Sequence, residues 1–346
     1  MKTIIKYPPV SDLNITRYAK ILSTGAYLPD NIVTNDDIIK RYNLIATDRA
    51  VRYSIGISER RWENKNLDVA DCVAYAANQC LERANISIEK VDRIIYSKLL
   101  GDYNVPATAI GMLKKLNAKK GIPAYDLTAA CSGFIHAMDM ALRYIDSGDD
   151  YILILGGGLT SWALANDFNK IDTRTVFLMG DGIAAMLLGV TKEKHFLCSY
   201  IQTDNTHYEV GYMPLGLSLL NSKESLSSDM FGMKIENGRI LNENAVESAV
   251  VTVERLLESA KLSIEDIDIV ATSDQTTQLW EGQLKALNIP LEKSVSLFHK
   301  HGNTASAMSP LNFNELVVSG RLKRGMTVLM MAHGAGASGG GVIFKY

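Results

Sequence analysis

The sequence predicts an α/β fold built from two similar halves, and three observations point there. The chain echoes itself once at a spacing of about 176 residues, short apolar runs of strand length alternate with helix-length stretches, and the composition is that of a globular domain. Hydrophobic residues make up 47% of the 346 positions and charged residues 21%, an ordinary balance for a chain with a buried core.

The echo has two parts. "ISIEKVDRIIYS" (86–97) returns as "LSIEDIDIVATS" (262–273), each preceded by a helical apolar pattern, "VAYAANQCLERAN" and "AVVTVERLLESAK". Farther on, "DSGDDYILILGGG" (146–158) returns as "KRGMTVLMMAHGAG" (323–336). Two matches at one spacing argue for a duplicated βα unit, with "RIIYS", "YILIL", "DIVAT" and "TVLMM" as buried strands. The division falls near residue 190, giving an N-terminal half of 1–190 and a C-terminal half of 191–346, each contributing loops to one site.

Charge and cysteine usage narrow the class. A net charge of −2 leaves no basic footprint for nucleic acid. No apolar run approaches the roughly 18 residues of a membrane span, and the apolar stretch in "MKTIIKYPPVSDLN" is too short for a signal peptide. The four cysteines, Cys72, Cys80, Cys131 and Cys198, form no CxxC pair, so free thiols in a reducing cytoplasm are expected. No His/Cys/Asp cluster has metal-ligand spacing.

One cysteine has a distinct setting. "AYDLTAACSGFIHAMDMALRYIDSG" (124–148) runs from a strand through a turn into a helix whose apolar face carries Phe134, Met138, Ala141 and Ile145. Cys131 stands at the helix start, where unpaired N–H groups favour an anion and lower a thiol's pKa. Small neighbours, Ala129, Ala130, Ser132 and Gly133, leave room for a substrate. Position alone leaves both a nucleophile and a buried filler open. The other three cysteines read as core.

Six motifs then carry a resemblance: "STGAYLPDNIVTNDDI", "IGISERR" (55–61), "DLTAACSGF" (126–134), "MGDGIAA" (179–185), "HGNTASA" (301–307) and "AHGAGASGGG" (332–341). From about Ile21 to Tyr346 the chain resembles the thiolase superfamily, in particular its ketoacyl-ACP synthase III-like members. The resemblance implies a five-layered αβαβα fold, a homodimer or a pairing with a related synthase, and an acyltransferase in which Cys131 takes an acyl group from a thioester. It also implies no permanently bound cofactor, a donor that is a coenzyme A or acyl carrier protein thioester, and an oxyanion hole from the backbone amides of Cys131 and Ala335. Asn303 matches the family's asparagine.

The family's histidine is missing. Its expected place, after "DIDIVAT", reads "SDQTTQL", which sets Asp274 in the slot and Gln275 after it. An ionised Asp274 cannot donate to an enolate, but it suits removal of a proton from an incoming nucleophile. His333 stands where the family usually has an aromatic residue, and is the histidine expected to supply part of the lost function. His301 ranks behind it, His136 lies off its helix's apolar face, and His195, His207 and His299 have no motif context. Ala50 and Ser54 occupy the positions of the Trp and Arg that hold adenine in relatives, and Leu279 replaces another Arg. Arg49, Arg52 and Arg174 are offset from these, which makes a carrier-protein arm at least as plausible a donor as coenzyme A. "GAGASG" (334–339) fits GxGxxG but has no following helix, so it is not a dinucleotide loop.

The functional expectation is therefore acyl transfer through Cys131, with carbon–carbon condensation in specialised polyketide or fatty-acid-like metabolism first. Ester- or amide-forming transfer with Asp274 as base is the alternative. A non-catalytic or partner-dependent subunit is the reading from another class.

Overall fold

The computed structural model describes residues 16–164, 172, 175–213 and 233–346. Its N-terminal part contains β1 (Tyr18–Tyr27), β2 (Ile32–Thr34), α1 (Asn35–Arg41), α2 (Asp48–Ile55), β3 (Glu59–Arg61), α3 (Val69–Ala84) and β4 (Arg93–Lys98). Next come α4 (Thr108–Lys115), β5 (Ala124–Leu127), α5 (Gly133–Asp146), β6 (Tyr151–Gly158) and β7 (Gly182–Thr191). The C-terminal part contains β8 (Phe196–Thr203), β9 (Gly211–Tyr212), β10 (Lys234–Ile235), α6 (Gly238–Ala260), β11 (Ile269–Thr272) and α7 (Thr277–Ala286). It ends with α8 (Phe298–His301), α9 (Met308–Val318), β12 (Thr327–Gly334) and β13 (Ser338–Lys345).

Two large sheets repeat one plan. The first runs β1-β7-β6-β4-β5 and the second β8-β13-β12-β11. In both, the first two pairings are antiparallel and the third is parallel. Where the first sheet adds β5, the second has only an isolated bridge from Val270 to Ser294. The echoed "SIEK" and "SIED" are matching turns at 88–90 and 264–266. They follow α3 and α6, which end on Asn85 and Lys261 in the left-handed conformation.

Strand alternation sorts the core into layers. Ile95, Ile152 and Ile154 of the first sheet, and Val328, Met330 and Val342 of the second, face a common interior. α5 and α9 fill that interior with Phe134, Met138, Phe313 and Leu316. The opposite face of the first sheet, with Leu153 and Leu155, packs on α3, and Leu329 and Met331 of the second pack on α6. The order α–β–α–β–α is the five-layered architecture expected. Cys72, Cys80 and Cys198 are buried in these layers, as read from the sequence.

α5 and α9 enter the middle layer through matching 3-10 turns at Ala130–Ser132 and Ala305–Ala307. Each opens on an alanine in the left-handed region, at φ 46° for Ala130 and 57° for Ala305, a conformation that costs a non-glycine residue energy. Both strained turns sit at one end of the interior, and the first carries Cys131.

Candidate active site

Cys131 lies between β5 and α5, only 7% exposed. The end of β12 closes over it: a Cβ on Gly334 would stand 2.7 Å from the Cys131 nitrogen, so this approach requires glycine. The sulfur opens onto a cavity of about 250 Å³ whose walls come from both halves of the chain. Its polar wall includes Gln275, Asn303, His333, Ser248 and Ser338; Leu99, Leu178, Met179, Met233 and Leu241 make much of its apolar wall.

Burial corrects one expectation. The thiol is pushed up to about 11 rather than lowered, because removal from water outweighs the hydrogen bond from the Gln275 side chain. Regular α-helix begins only at Gly133, two residues past the sulfur.

Asn303 and Gln275 come to the cavity with their amides fixed by the backbone. Asn303 Oδ1 accepts from the Ala305 N–H at 2.8 Å, so the atom left for the cavity is the donor Nδ2. Gln275 Nε2 donates to the His333 carbonyl, an acceptor-only group, and this fixes the nitrogen's position. Its second N–H serves the Cys131 thiol. Sequence reasoning passed over Gln275. A usable signal was Thr276, whose side chain caps α7 by accepting from Leu279 N at 3.0 Å and so makes Gln275 the last residue before the helix.

Asp274 is not where a general base is needed. It is buried and absent from the cavity wall; its Oδ2 accepts from Ser296 Oγ at 2.7 Å and from Phe298 N at 3.0 Å. It anchors the entry to α8, the segment leading to Asn303, and the base expected here faces away. Burial pushes its carboxyl up to about 6, against those hydrogen bonds. A raised carboxylate stabilises most at low pH, and that contribution is lost as pH rises from about 4 to about 6. Asp274→Asn is expected to leave both half-reactions within about twofold and to flatten that decline, read as urea midpoints between pH 4 and 7. A loss of about 10²-fold in transfer alone would return Asp274 to the mechanism.

His333 lines the cavity, but its ring is held from the α6 side, with Nδ1 3.2 Å from Ser248 Oγ. Nε2 has no partner among the described residues. Burial pushes the ring down to about 4, so it is neutral near pH 7. A lowered histidine contributes stability above its ordinary value that is lost as pH falls through about 4. His333→Phe is expected to keep both half-reactions within about threefold and to reduce the acid loss by about 2 kcal/mol, seen on comparing urea unfolding at pH 7 and about 4.5. A loss of about 10²-fold in either half-reaction would place the imidazole in the chemistry.

Ala335 lines the cavity, whereas Ala50, Arg52, Ser54 and His301 do not. Arg52 pairs with Asp48 at 2.6 Å on the exposed side of α2, and Ala50 and Ser54 are exposed on the same helix. Arg174 lies outside the described residues. His301 is mostly buried beside Arg61 and His299 and does not line the cavity.

This site sits in a chain with clear relatives. The family model 3-Oxoacyl-[acyl-carrier-protein (ACP)] synthase III matches residues 125–205, and the model of its C-terminal part matches 257–346. A beta-ketoacyl-[acyl-carrier-protein] synthase III of Methylococcus capsulatus is 32% identical over 333 residues, covering 96% of this chain and 100% of its own. The chain belongs to the 3-oxoacyl-[acyl-carrier-protein] synthase III family. The Xanthomonas campestris pv. campestris synthase III is 30% identical, over 95% of this chain and 98% of that one. Among solved structures, the Aquifex aeolicus synthase III superposes with a TM-score of 0.85 at 31% identity, covering 95% of this chain and all of that one. The priming β-ketosynthase of the R1128 polyketide pathway shares the fold at TM-score 0.85 and 22% identity, over 99% and 98% of the two chains. Membership makes this chain an acyl-transferring enzyme of the condensing type, with the thiolase-like fold expected. No helix among the described residues is long and apolar enough to cross a membrane.

Proposed function

We propose that this enzyme joins an acyl group held on Cys131 to a β-carboxy thioester by decarboxylative carbon–carbon condensation. The supporting observation is the pair of backbone-fixed amide donors, Gln275 Nε2 and Asn303 Nδ2, on the wall that holds the thiol. The Cys131 sulfur attacks the carbonyl of an acyl thioester, coenzyme A or carrier protein being the leaving thiol. The tetrahedral oxyanion meets the N–H groups of Cys131 and Ala335, each at the start of a 3-10 turn where N–H groups have no partner within the turn.

The second substrate then loses CO2. Its carbanion needs no base, because the departing carboxylate leaves the electron pair behind. The enolate oxygen takes hydrogen bonds from Asn303 and from the Gln275 N–H that served the thiol before acylation. Attack of the carbanion on the acyl carbon expels the Cys131 thiolate and forms a 3-oxoacyl thioester. Neutral amides suit this role, which an ionised carboxylate would oppose. Turnover of an acyl thioester with a β-carboxy thioester, followed by mass spectrometry of the product, is expected to give the 3-oxoacyl thioester. An ester or amide product, formed without loss of CO2, would replace this reading with heteroatom transfer. No adduct on folded protein with any donor would favour the partner-dependent subunit.

A further inference from the structure

The motif "IGISERR" (55–61) takes no part in the chemistry above, yet its Arg60 is fully buried, and its hydrogen bonds among the described residues go to uncharged oxygens. The geometry points to Arg60 as the positioning residue that sets Asn303 in place for the enolate. This rests on the condensation proposed above and adds the group that holds its amide donor.

Arg60 lies on β3, opposite Val33 of β2. Its Nη1 donates to the Val33 carbonyl at 3.1 Å, and its Nη2 donates to the Phe177 carbonyl at 2.7 Å and to Asn35 Oδ1 at 2.8 Å. The carbonyl after Phe177, that of Leu178, accepts from the Asn303 N–H at 2.6 Å, and the Asn303 carbonyl accepts from the Gly180 N–H at 3.1 Å. The main chain of Asn303 is thus fastened on both sides to residues 178–180, and Arg60 fixes the start of that segment. The arginine stem touches both partners of this pairing. A Cβ on Gly302 would stand 3.2 Å from the Arg60 Cβ, and one on Gly180 would stand 3.4 Å from it. With Oδ1 of Asn303 held by Ala305, its Nδ2 follows wherever this main chain is placed.

Asn35, also fully buried, aims the guanidinium. Its Oδ1 faces a group that only donates, and its Nδ2 donates to Asp48 Oδ1 at 2.8 Å and to the Ile57 carbonyl at 2.9 Å, so the amide has one orientation. Burial pulls the Arg60 pKa down to about 10, which leaves it charged near pH 7, with Asp37, Asp48 and Glu59 as the opposite charges acting on it. A buried charge is weak evidence for net stability. What arginine supplies here is a rigid fork that engages two carbonyls and an amide oxygen together; lysine keeps the charge and loses the fork.

Arg60→Lys is tested in single turnovers of acyl-enzyme preformed on Cys131, with a malonyl thioester labelled at its free carboxylate. CO2 release is expected to slow by ~10- to 10²-fold, the cost of displacing a reacting group by about 1 Å, while formation of the acyl adduct and the half-saturating malonyl thioester concentration stay within about threefold. In the Asn303→Asp background the same lysine is expected to add less than about twofold, because its effect runs through Asn303. If Arg60→Lys folds poorly, Asn35→Ala leaves the guanidinium in place, frees one end of it, and is expected to show a smaller loss confined to the same step. A merely structural role would slow both half-reactions alike or multiply with Asn303→Asp, and either result would overturn the positioning, as would unchanged CO2 release. CO2 release that Asn303→Asp leaves unslowed would overturn the enolate role of Asn303 and this inference with it; none from the unsubstituted enzyme would overturn the condensation itself.

Discussion

Cys131→Ala is expected to reduce acyl transfer to background, a loss of ~10⁴-fold or more, and to abolish the acyl adduct on the protein. No other cysteine can substitute. Cys72 and Cys80 are fully buried in the outer layer around α3, with their thiols pushed up to about 12, and Cys198 is buried against α6. The change itself is structurally mild. The side chain is small and its thiol takes one side-chain hydrogen bond, so folded stability should move by about 1 kcal/mol or less. Intact-protein mass spectrometry after exposure to acyl thioesters checks both points. An acyl group retained on the alanine variant would remove Cys131 from the mechanism.

Asn303→Asp is expected to slow condensation by ~10²–10³-fold while acylation stays within a few-fold. The substitution is close to isosteric, and an aspartate oxygen still accepts from the Ala305 N–H, so the strained turn at the head of α9 keeps its anchor. What changes is the cavity side, where a donor becomes an ionised acceptor beside a developing enolate. Acylation as proposed depends instead on the oxyanion hole and the thiol, which this residue does not supply. Single-turnover rates for the two half-reactions separate the effects. Equal losses in both would show that Asn303 shapes the turn rather than stabilises the enolate.

Much of the fold was legible because duplication writes itself into sequence twice. The "SIEK" and "SIED" turns, the strands after them and the helices before them occupy matched places in the two sheets. The apolar face of α5 was visible as helical spacing, and Cys131 and Asn303 stood in motifs that the structure brings to one cavity. The loop between β11 and α7 was not legible in the same way. Four residues, 273–276, have no period, and a shift of one decides whether Asp274 or Gln275 faces the thiol. The family resemblance placed Asp274 there; the Thr276 cap and the hydrogen bond to His333 turn Gln275 inward.

The thiol's environment was hidden for a different reason. A helix start favours a thiolate locally, but burial raises Cys131, and part of the wall around it, the end of β12 against its backbone, lies about 200 residues away in the chain. His136 was read correctly as lying off the apolar face of its helix. The group it meets there, Ser338, is 202 residues distant, and only the folded sheet brings them together.

The acyl group on Cys131 is proposed to leave by decarboxylative condensation, supported by two neutral amide donors. The most direct measurement is labelled CO2 released per acyl-enzyme discharged, in a single turnover with a β-carboxy thioester labelled at its free carboxylate. One CO2 is expected for each acyl group lost, with release and discharge slowed together in Asn303→Asp. Discharge to an acceptor without stoichiometric CO2 would contradict it.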